Sequence, residues 1–360
     1  MSDLAVEVSG LRKAFGEVVA VESICLEVAR GEIVGLVGPD GAGKTTTLRM
    51  LCGILLPDAG EIRVAGHDAV RDPEGVKARI GYVPQRFSLH RDLTVNENIQ
   101  YFADLYSVPR SIWQPRRQEL LEITQMAPFA DRLAGKLSGG MRQKLSLLCS
   151  LIHRPEVLFL DEPTTGVDPL SRRDFWKILY DLPRQGVTMV ISTPYMDEAA
   201  RCTRVGFLHQ GRVLREDTPQ RLRESVQSRI FEVRCSDQRA CREALKGDPG
   251  VEGVEVFGDR LHVALRPGAD PEAIWRHLAQ AGVKAVEPRE VPVSLEDVFV
   301  AMAGGEEKVE RGRWNVENGG SGGDTGETPV PLGRGSGSPG GTGVSPVSPE
   351  GPVPPGEGGS

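Results

Sequence analysis

A glycine-rich run, Gly38-Pro39-Asp40-Gly41-Ala42-Gly43-Lys44-Thr45-Thr46, carries the clearest chemistry in this 360-residue chain. Gly38 to Thr45 fits G-x-x-x-x-G-K-[ST], the phosphate-binding loop. Its glycines let successive backbone N–H groups turn toward one anion, and a helix starting near Lys44 adds its positive dipole end. Lys44 is placed to reach β- and γ-phosphates, and the Thr45 hydroxyl to ligate Mg²⁺. The flanks suit this reading better than a chance turn: the apolar run Val34 to Val37 precedes the loop as a strand, and Thr47-Leu48-Arg49-Met50-Leu51 follows with helical spacing.

Three further stretches bear polar groups at the ends of apolar segments. Val157-Leu158-Phe159-Leu160 reads as a buried strand that delivers Asp161 and Glu162 together. Burying charge is costly without a partner, so a cation is the natural company for this pair. Asp161 is expected to hold Mg²⁺ in its outer sphere and Glu162 to polarise an attacking water. Ser138-Gly139-Gly140, before the apolar helix Leu145 to Ile152, makes a second anion-binding helix start, although the same trio is a common cap. Arg79-Ile80-Gly81-Tyr82-Val83-Pro84-Gln85 reads as a short apolar strand ending at a glutamine. Phe15, before Gly16, suits either stacking on an adenine ring or an ordinary place in a hairpin core, and spacing alone favours the core.

The elements that must position these residues alternate. Strands and helices succeed one another from Val34 to Thr193, which predicts an α/β fold with a mostly parallel, covered sheet. Before them, Leu4 to Val8 and Val18 to Val28 read as strands joined by a hairpin-like connection at Arg12 to Gly16. Thr94 to Tyr106 and Trp113 to Thr124 have helical spacing, with Thr94 and Glu97 forming a capping box, and predict a helical subdomain leaning off the main sheet. Val187 to Thr193 is again a buried strand and ends at Pro194-Tyr195. From 229 to 304 the order is βαββαβ, the pattern of a small ferredoxin-like α+β domain, and Ser294 caps a final short helix. Residues 305–360 are dominated by Gly, Pro, Ser and Thr, carry eight carboxylates against four basic residues, and are expected to form a disordered, solvating tail with a weak internal repeat near Thr325 and Thr342.

Composition narrows the function classes. Lys+Arg 43 against Asp+Glu 50 gives no electrostatic case for nucleic acid as a partner. Cys25, Cys52, Cys149, Cys202, Cys235 and Cys241 contain no C-x-x-C pair and read as buried thiols in a reducing compartment. The N-terminus shows no secretory pattern, and no apolar run approaches the roughly 18 residues that span a bilayer. A cytoplasmic chain is expected, with any membrane role depending on a partner.

Taken in order, the phosphate loop, the second glycine-rich helix start and the acidic strand end resemble the ATP-binding subunits of ABC transporters over roughly Leu4 to Leu222. In that resemblance Gly38 to Thr45 looks like the Walker A motif and Val157 to Glu162 like Walker B. Gln85 looks like the glutamine that senses Mg²⁺ and the transmembrane partner, Leu137 to Met141 like the family signature, and Asp168 falls in the D-loop. The resemblance implies an ATP sandwich, in which Ser138, Gly139 and Gly140 of one subunit complete the site on Lys44 of another. It also makes Phe15 an adenine-stacking aromatic. ATP and Mg²⁺ are the implied cofactors, and a separate transmembrane permease plus a homo- or heterodimeric ATP-binding subunit the implied partners, on the inner face of the cell membrane. The region before Met302 resembles the C-terminal extension of exporter-type ATPases of the multidrug or antibiotic-efflux kind. The implied organisation is an ATP-binding domain with an antiparallel β subdomain over 1–222, an accessory α+β domain over 229–304 and the tail over 305–360. Two residues depart from the family: Met141 replaces the signature's usual glutamine, and Pro194 stands where a switch histidine would contact the γ-phosphate. The second departure implies slow hydrolysis resting on Glu162, or pairing with another ATP-binding subunit. The alternatives are a soluble ABC-type ATPase acting on ribosomes or DNA, and a non-hydrolysing regulatory binder.

Overall fold

A computed structural model of the chain describes residues 3–283 and 285–303. The tail expected to be disordered, 305–360, lies outside the described residues. β1 (Leu4–Phe15) and β2 (Val18–Ala29) pair antiparallel as a long hairpin. β3 (Ile33–Val37), buried throughout, leads through the glycine-rich loop into helix α1 (Lys44–Leu51). β4 (Ala59–Val64) returns to pair antiparallel with β1, and β5 (His67–Asp68) edges it. The short helix α2 (Pro73–Lys77) then leads into β6 (Ile80–Val83). Three helices follow: α3 (Val95–Leu105), α4 (Arg110–Ile123) and α5 (Gly139–Leu151). β7 (Val157–Asp161), α6 (Pro169–Asp181), β8 (Thr188–Thr193) and the one-turn helix α7 (Met196–Ala199) continue the alternation. β9 (Arg204–His209), β10 (Arg212–Asp217) and α8 (Pro219–Glu224) complete this part.

These ten strands form one sheet in the order β5-β4-β1-β2-β10-β9-β3-β8-β7-β6. The five strands from β9 to β6 run parallel. Every residue of β3, β7 and β8 is buried, as strands covered on both faces require. Because β3, β8, β7 and β6 are parallel neighbours, the segments that leave their carboxyl ends emerge at one edge of the sheet, where ligands of open α/β sheets bind.

The hairpin differs from its sequence reading. β1 does not end before Arg12 but continues to Phe15, so the turn lies at Gly16-Glu17, with Gly16 at φ 60. Register shifts between Val8 and Leu11, Leu11 and Lys13, and Lys13 and Ala14 interrupt the alternation that period-two reading depends on. Asp58 then ties down the strand end, accepting from Lys13 Nζ at 2.7 Å and from the Ala14 N–H at 2.7 Å. The cysteines also differ in part: Cys52, Cys149, Cys202 and Cys241 are buried, but Cys25 is exposed because it takes an outward position on β2.

A second sheet follows. β11 (Arg229–Cys235), α9 (Gln238–Leu245), β12 (Val251–Phe257), β13 (Arg260–Leu265), α10 (Pro271–Gln280) and β14 (Ala285–Val291) occur in that order. The strands pair antiparallel as β12-β13-β11-β14, the ferredoxin-like arrangement. Its own apolar cluster includes Phe231, Val233, Leu245, Leu261, Ile274 and Leu278. The helical residues 295–303 then return to the first part. Leu295 and Val298 join the core cluster of the parallel strands, and Phe299 meets Phe207 edge to face at 5.6 Å. Ser294 and Asp297 cap this helix reciprocally, with the Asp297 N–H donating to Ser294 Oγ at 3.1 Å and the Ser294 N–H to Asp297 Oδ2 at 2.8 Å.

The expected capping box of α3 is present: the Glu97 N–H donates to Thr94 Oγ1 at 3.2 Å, and the Thr94 N–H to Glu97 Oε2 at 2.7 Å. Thr94→Ala removes the cap of a helix whose buried face, Val95, Ile99 and Ala103, belongs to the main core. It is expected to lower stability by about 1 kcal/mol, read as a lower urea midpoint at unchanged slope.

Candidate active site

The glycine-rich loop is shaped by what surrounds it. At Gly43, the N-cap of α1 with φ 100, a Cβ would lie 2.4 Å from the carbonyl oxygen of Ala20 on β2. At Gly38 it would lie 2.1 Å from the carbonyl oxygen of Leu208 on β9. Both positions therefore exclude any side chain. Lys44 is 4% exposed, and its Nζ donates to the carbonyls of Gly38 at 2.8 Å and Pro39 at 3.0 Å. The same ammonium lies 3.2 Å from Glu162 Oε1. Asp40 and Gly41 are exposed at the loop tip, and Thr46 is half-buried on α1.

The carboxylate pair at the end of β7 is buried, with Asp161 1% and Glu162 6% exposed. Asp161 Oδ1 accepts from Thr45 Oγ1 at 3.0 Å and from Ser192 Oγ at 2.7 Å, and Oδ2 accepts from Tyr82 OH at 3.3 Å. Burial, and then the Asp161 charge, push the Tyr82 phenol far above its ordinary range, so it stays a neutral donor. Glu162 Oε2 accepts from Gln85 Nε2 at 2.8 Å and from Thr165 Oγ1 at 3.3 Å. Its backbone sits in the left-handed region at φ 46, a conformation that costs a non-glycine residue on the order of 1 to 3 kcal/mol. The Glu162 N–H donates to Ser192 Oγ at 3.0 Å, which holds that turn against β8.

Lys44, Thr45, Gln85, Asp161 and Glu162 thus form one hydrogen-bonded group drawn from α1, the segment after β6 and the end of β7. The other expected residues lie apart from it. Ser138 is the exposed N-cap of α5, its Oγ accepting from the Met141 N–H at 3.3 Å. A Cβ on Gly140 would come within 2.6 Å of the Ser171 Cβ, and one on Gly139 would come 4.0 Å from the Gly166 oxygen. The start of α5 therefore packs beside the start of α6. Asp168 caps α6, accepting from the Ser171 N–H at 2.9 Å. Among the described residues no hydrogen bond or ion pair joins Ser138, Gly139, Gly140 or Asp168 to Lys44. Phe15 is 52% exposed at the hairpin tip, with Lys13 Nζ 5.6 Å from its ring centre, so it is not a core aromatic. Pro194 directly follows β8 and has neither N–H nor polar side chain to offer.

Sequence reading missed Ser192, Tyr82 and Thr165. Ser192 carried a usable signal, a hydroxyl within an otherwise apolar buried strand. Tyr82 and Thr165 gave none, since Tyr82 reaches Asp161 only through the strand order and Thr165 reaches Glu162 only through the left-handed turn between them.

The chain matches the ABC transporter family over residues 21–165 and the family of C-terminal domains of DrrA1-3-like ATP-binding proteins over residues 218–303. It is 39% identical over 310 residues to the probable multidrug ABC transporter ATP-binding protein YbhF of Escherichia coli, covering 85% of this chain and 53% of that protein. The chain thus spans about half the length of YbhF. It is 37% identical to the Nod factor export ATP-binding protein I of Paraburkholderia xenovorans, covering 85% of this chain and 99% of that one. The daunorubicin resistance ATP-binding protein DrrA3 of Streptomyces coeruleorubidus is 36% identical, covering 86% and 99%. Among solved structures, the ATP-binding cassette MJ0796 bound to ADP and Pi in a dimeric post-hydrolysis state superposes with TM-score 0.54 at 27% identity, over 59% of this chain and 98% of that one. With the phosphate loop and the Asp161-Glu162 strand end in one group, and with relatives matched over nearly their whole length, the chain belongs to the ABC transporter family of nucleotide-binding proteins.

Proposed function

We propose that this chain is the ATP-hydrolysing subunit of an exporter, working on a separate membrane permease. The observation that carries the reading is the single hydrogen-bonded group of Lys44, Thr45, Gln85, Asp161 and Glu162 at the carboxyl edge of the parallel strands. In this reading Lys44 places its charge against the β- and γ-phosphates, and loop N–H groups hold the same oxygens. Glu162 orients the attacking water, and Gln85 holds the Glu162 carboxylate. Thr45 Oγ1 and Asp161 Oδ1, 3.0 Å apart, are hard oxygen donors of the kind Mg²⁺ takes, so these two residues would hold it. When bound, Mg²⁺ neutralises charge that develops on the phosphates.

The separation of Ser138, Gly139, Gly140 and Asp168 from Lys44 supports a dimer in which each chain completes the other's site. The dimeric cassette among the similar structures supports the same arrangement. Phe15, exposed at the hairpin tip, would stack on adenine. A cavity of about 680 Å³ lined by Ile54, Pro84, Leu89, Phe102, Leu105 and Tyr106 adjoins α3, and in this reading the helical segment around Arg86 to Ser107 grips the permease there. No described helix is long and apolar enough to cross a membrane, so the membrane passage belongs to the partner in this reading, with the chain on its inner face. The residue ranges 1–222 and 229–304 serve as ATP-binding and accessory domains, and 305–360 as a tail. Relatives named for multidrug, Nod factor and daunorubicin export support a small-molecule cargo.

Two measurements on the chain reconstituted with its permease test this reading. Glu162→Gln is expected to retain ATP binding, accumulate an ATP-bound dimer and lower Mg²⁺-dependent phosphate release by about 10²-fold or more, the scale for losing a positioned general base. An undiminished rate would remove Glu162 from the chemistry.

Pro194 supports slow hydrolysis, because its side chain has no polar group to bridge Glu162 to a γ-phosphate. Pro194→His is expected to raise the turnover rate about tenfold, the scale of one hydrogen bond to a charged group. A rate unchanged by this substitution would count against that reading.

A further inference from the structure

Glu198 lies outside the group just described and, at 0% exposure, has the most enclosed carboxylate among the described residues. It sits on α7, four residues beyond Pro194. A buried carboxylate is tolerated only when its oxygens are satisfied, and here each oxygen takes a hydroxyl from a different element. Thr164 Oγ1 donates to Glu198 Oε1, and Thr193 Oγ1 donates to Oε2 at 2.7 Å. Both threonines are themselves buried, at 1% and 0% exposure.

The partners define what Glu198 joins. Thr164 lies two residues after Glu162, in the turn that must hold Glu162 at φ 46. Thr193 ends β8 immediately before Pro194, and its Oγ1 also accepts the Tyr195 N–H at 3.1 Å. A third element reaches the same carboxylate: Arg172, on the first turns of α6, brings Nε to 3.5 Å from Glu198 Oε1. That guanidinium lies over the Tyr195 ring at 4.2 Å, and the Arg172 N–H donates to the carbonyl of Asp168 at 2.9 Å. One carboxylate therefore spans the loop after Glu162, the end of β8 beside Pro194, and the helix that Asp168 caps.

We infer that Glu198 is a positioning residue that holds the Glu162 turn, the end of β8 and the start of α6 in one arrangement. Pro194 gives this tie added weight, since it supplies no side chain of its own to bridge β8 to Glu162. The backbone of the turn is tied to β8 at its start, where the Glu162 N–H donates to Ser192, and beyond that makes local bonds, Thr165 N–H to the Glu162 carbonyl at 3.2 Å and Val167 N–H to the Thr164 carbonyl at 3.1 Å. Without the Thr164 bond to Glu198, the turn is expected to relax from its left-handed conformation and carry the Glu162 carboxylate with it.

The inference rests on the ATPase reading for its consequence, and two readouts separate the two. Phosphate release gives kcat and KM for ATP, and amide hydrogen exchange across 162–168 reports the turn without nucleotide. Thr164→Val and Glu198→Gln are each expected to lower kcat about tenfold with KM within twofold, and to speed exchange across 162–168 about tenfold. Thr164→Ser, which keeps the hydroxyl, is expected to restore both. Exchange and kcat within twofold of the parent in both variants would overturn the inference, as would a Thr164→Ser protein that behaves like Thr164→Val. If the parent chain releases no phosphate, the ATPase reading fails while exchange still decides: faster exchange in Thr164→Val, restored in Thr164→Ser, upholds the tie, and unchanged exchange removes it.

Discussion

Two carboxylates at the end of a buried strand are the constraint on which the rest of this structure depends. Moving one such charge out of water costs several kcal/mol even after relaxation, and β7 delivers two in succession. The fold offsets this by bringing donors from four directions: Lys44 and Thr45 from α1, Tyr82 and Gln85 from β6 and beyond, Ser192 from β8, and Thr165 from the following turn. Strand order makes that possible, because β6 and β8 are the two neighbours of β7. The left-handed backbone of Glu162 belongs to the same account. It turns the second carboxylate toward Lys44, whereas continued extension would alternate the side chain to the opposite face.

Donors that satisfy these oxygens are the groups that suit a nucleotide site. A lysine ammonium and a threonine hydroxyl that stabilise buried carboxylates are also positioned for phosphate and a hard cation. Stability and the proposed chemistry therefore draw on one set of side chains. Gly38 and Gly43 serve both ends as well: the absent side chains admit the backbones of β9 and β2, and the loop amides remain free to turn toward an anion. The separation of the α5 start from this group has a comparable origin. Gly140 packs on Ser171, so α5 and α6 begin side by side, away from Lys44.

The second sheet is a self-contained piece of packing that the chain does not leave behind. Its apolar cluster is its own, yet residues 295–303 come back to place Leu295, Val298 and Phe299 among the core residues of the parallel strands. His262 on β13 meets Asp297 on that helix at 2.8 Å, so the returning helix is tied to the second sheet while its apolar face serves the first core.

Much was legible from the sequence because the signals are local. The phosphate loop, the caps at Thr94 and Ser294, the continuous apolar runs of β3, β7 and β8 and the βαββαβ order are set by neighbouring residues, whose spacing survives in a one-dimensional reading. Bulges hid the true end of β1, since an inserted residue breaks the period on which strand reading depends. The site divides the same way. Residue types determined that a phosphate loop and a carboxylate pair exist, because glycine, lysine, threonine and aspartate have few other reasons to occur in that order. Which side chains meet was decided by tertiary structure alone: Gln85 reaches Glu162 across 77 positions and Thr45 reaches Asp161 across 116, distances in sequence that only the parallel strand order closes. The left-handed turn at Glu162 and the buried carboxylate of Glu198 are of that second kind. A backbone conformation held by a neighbouring strand, and a charge satisfied from three separate elements, leave no periodic or local mark on the chain.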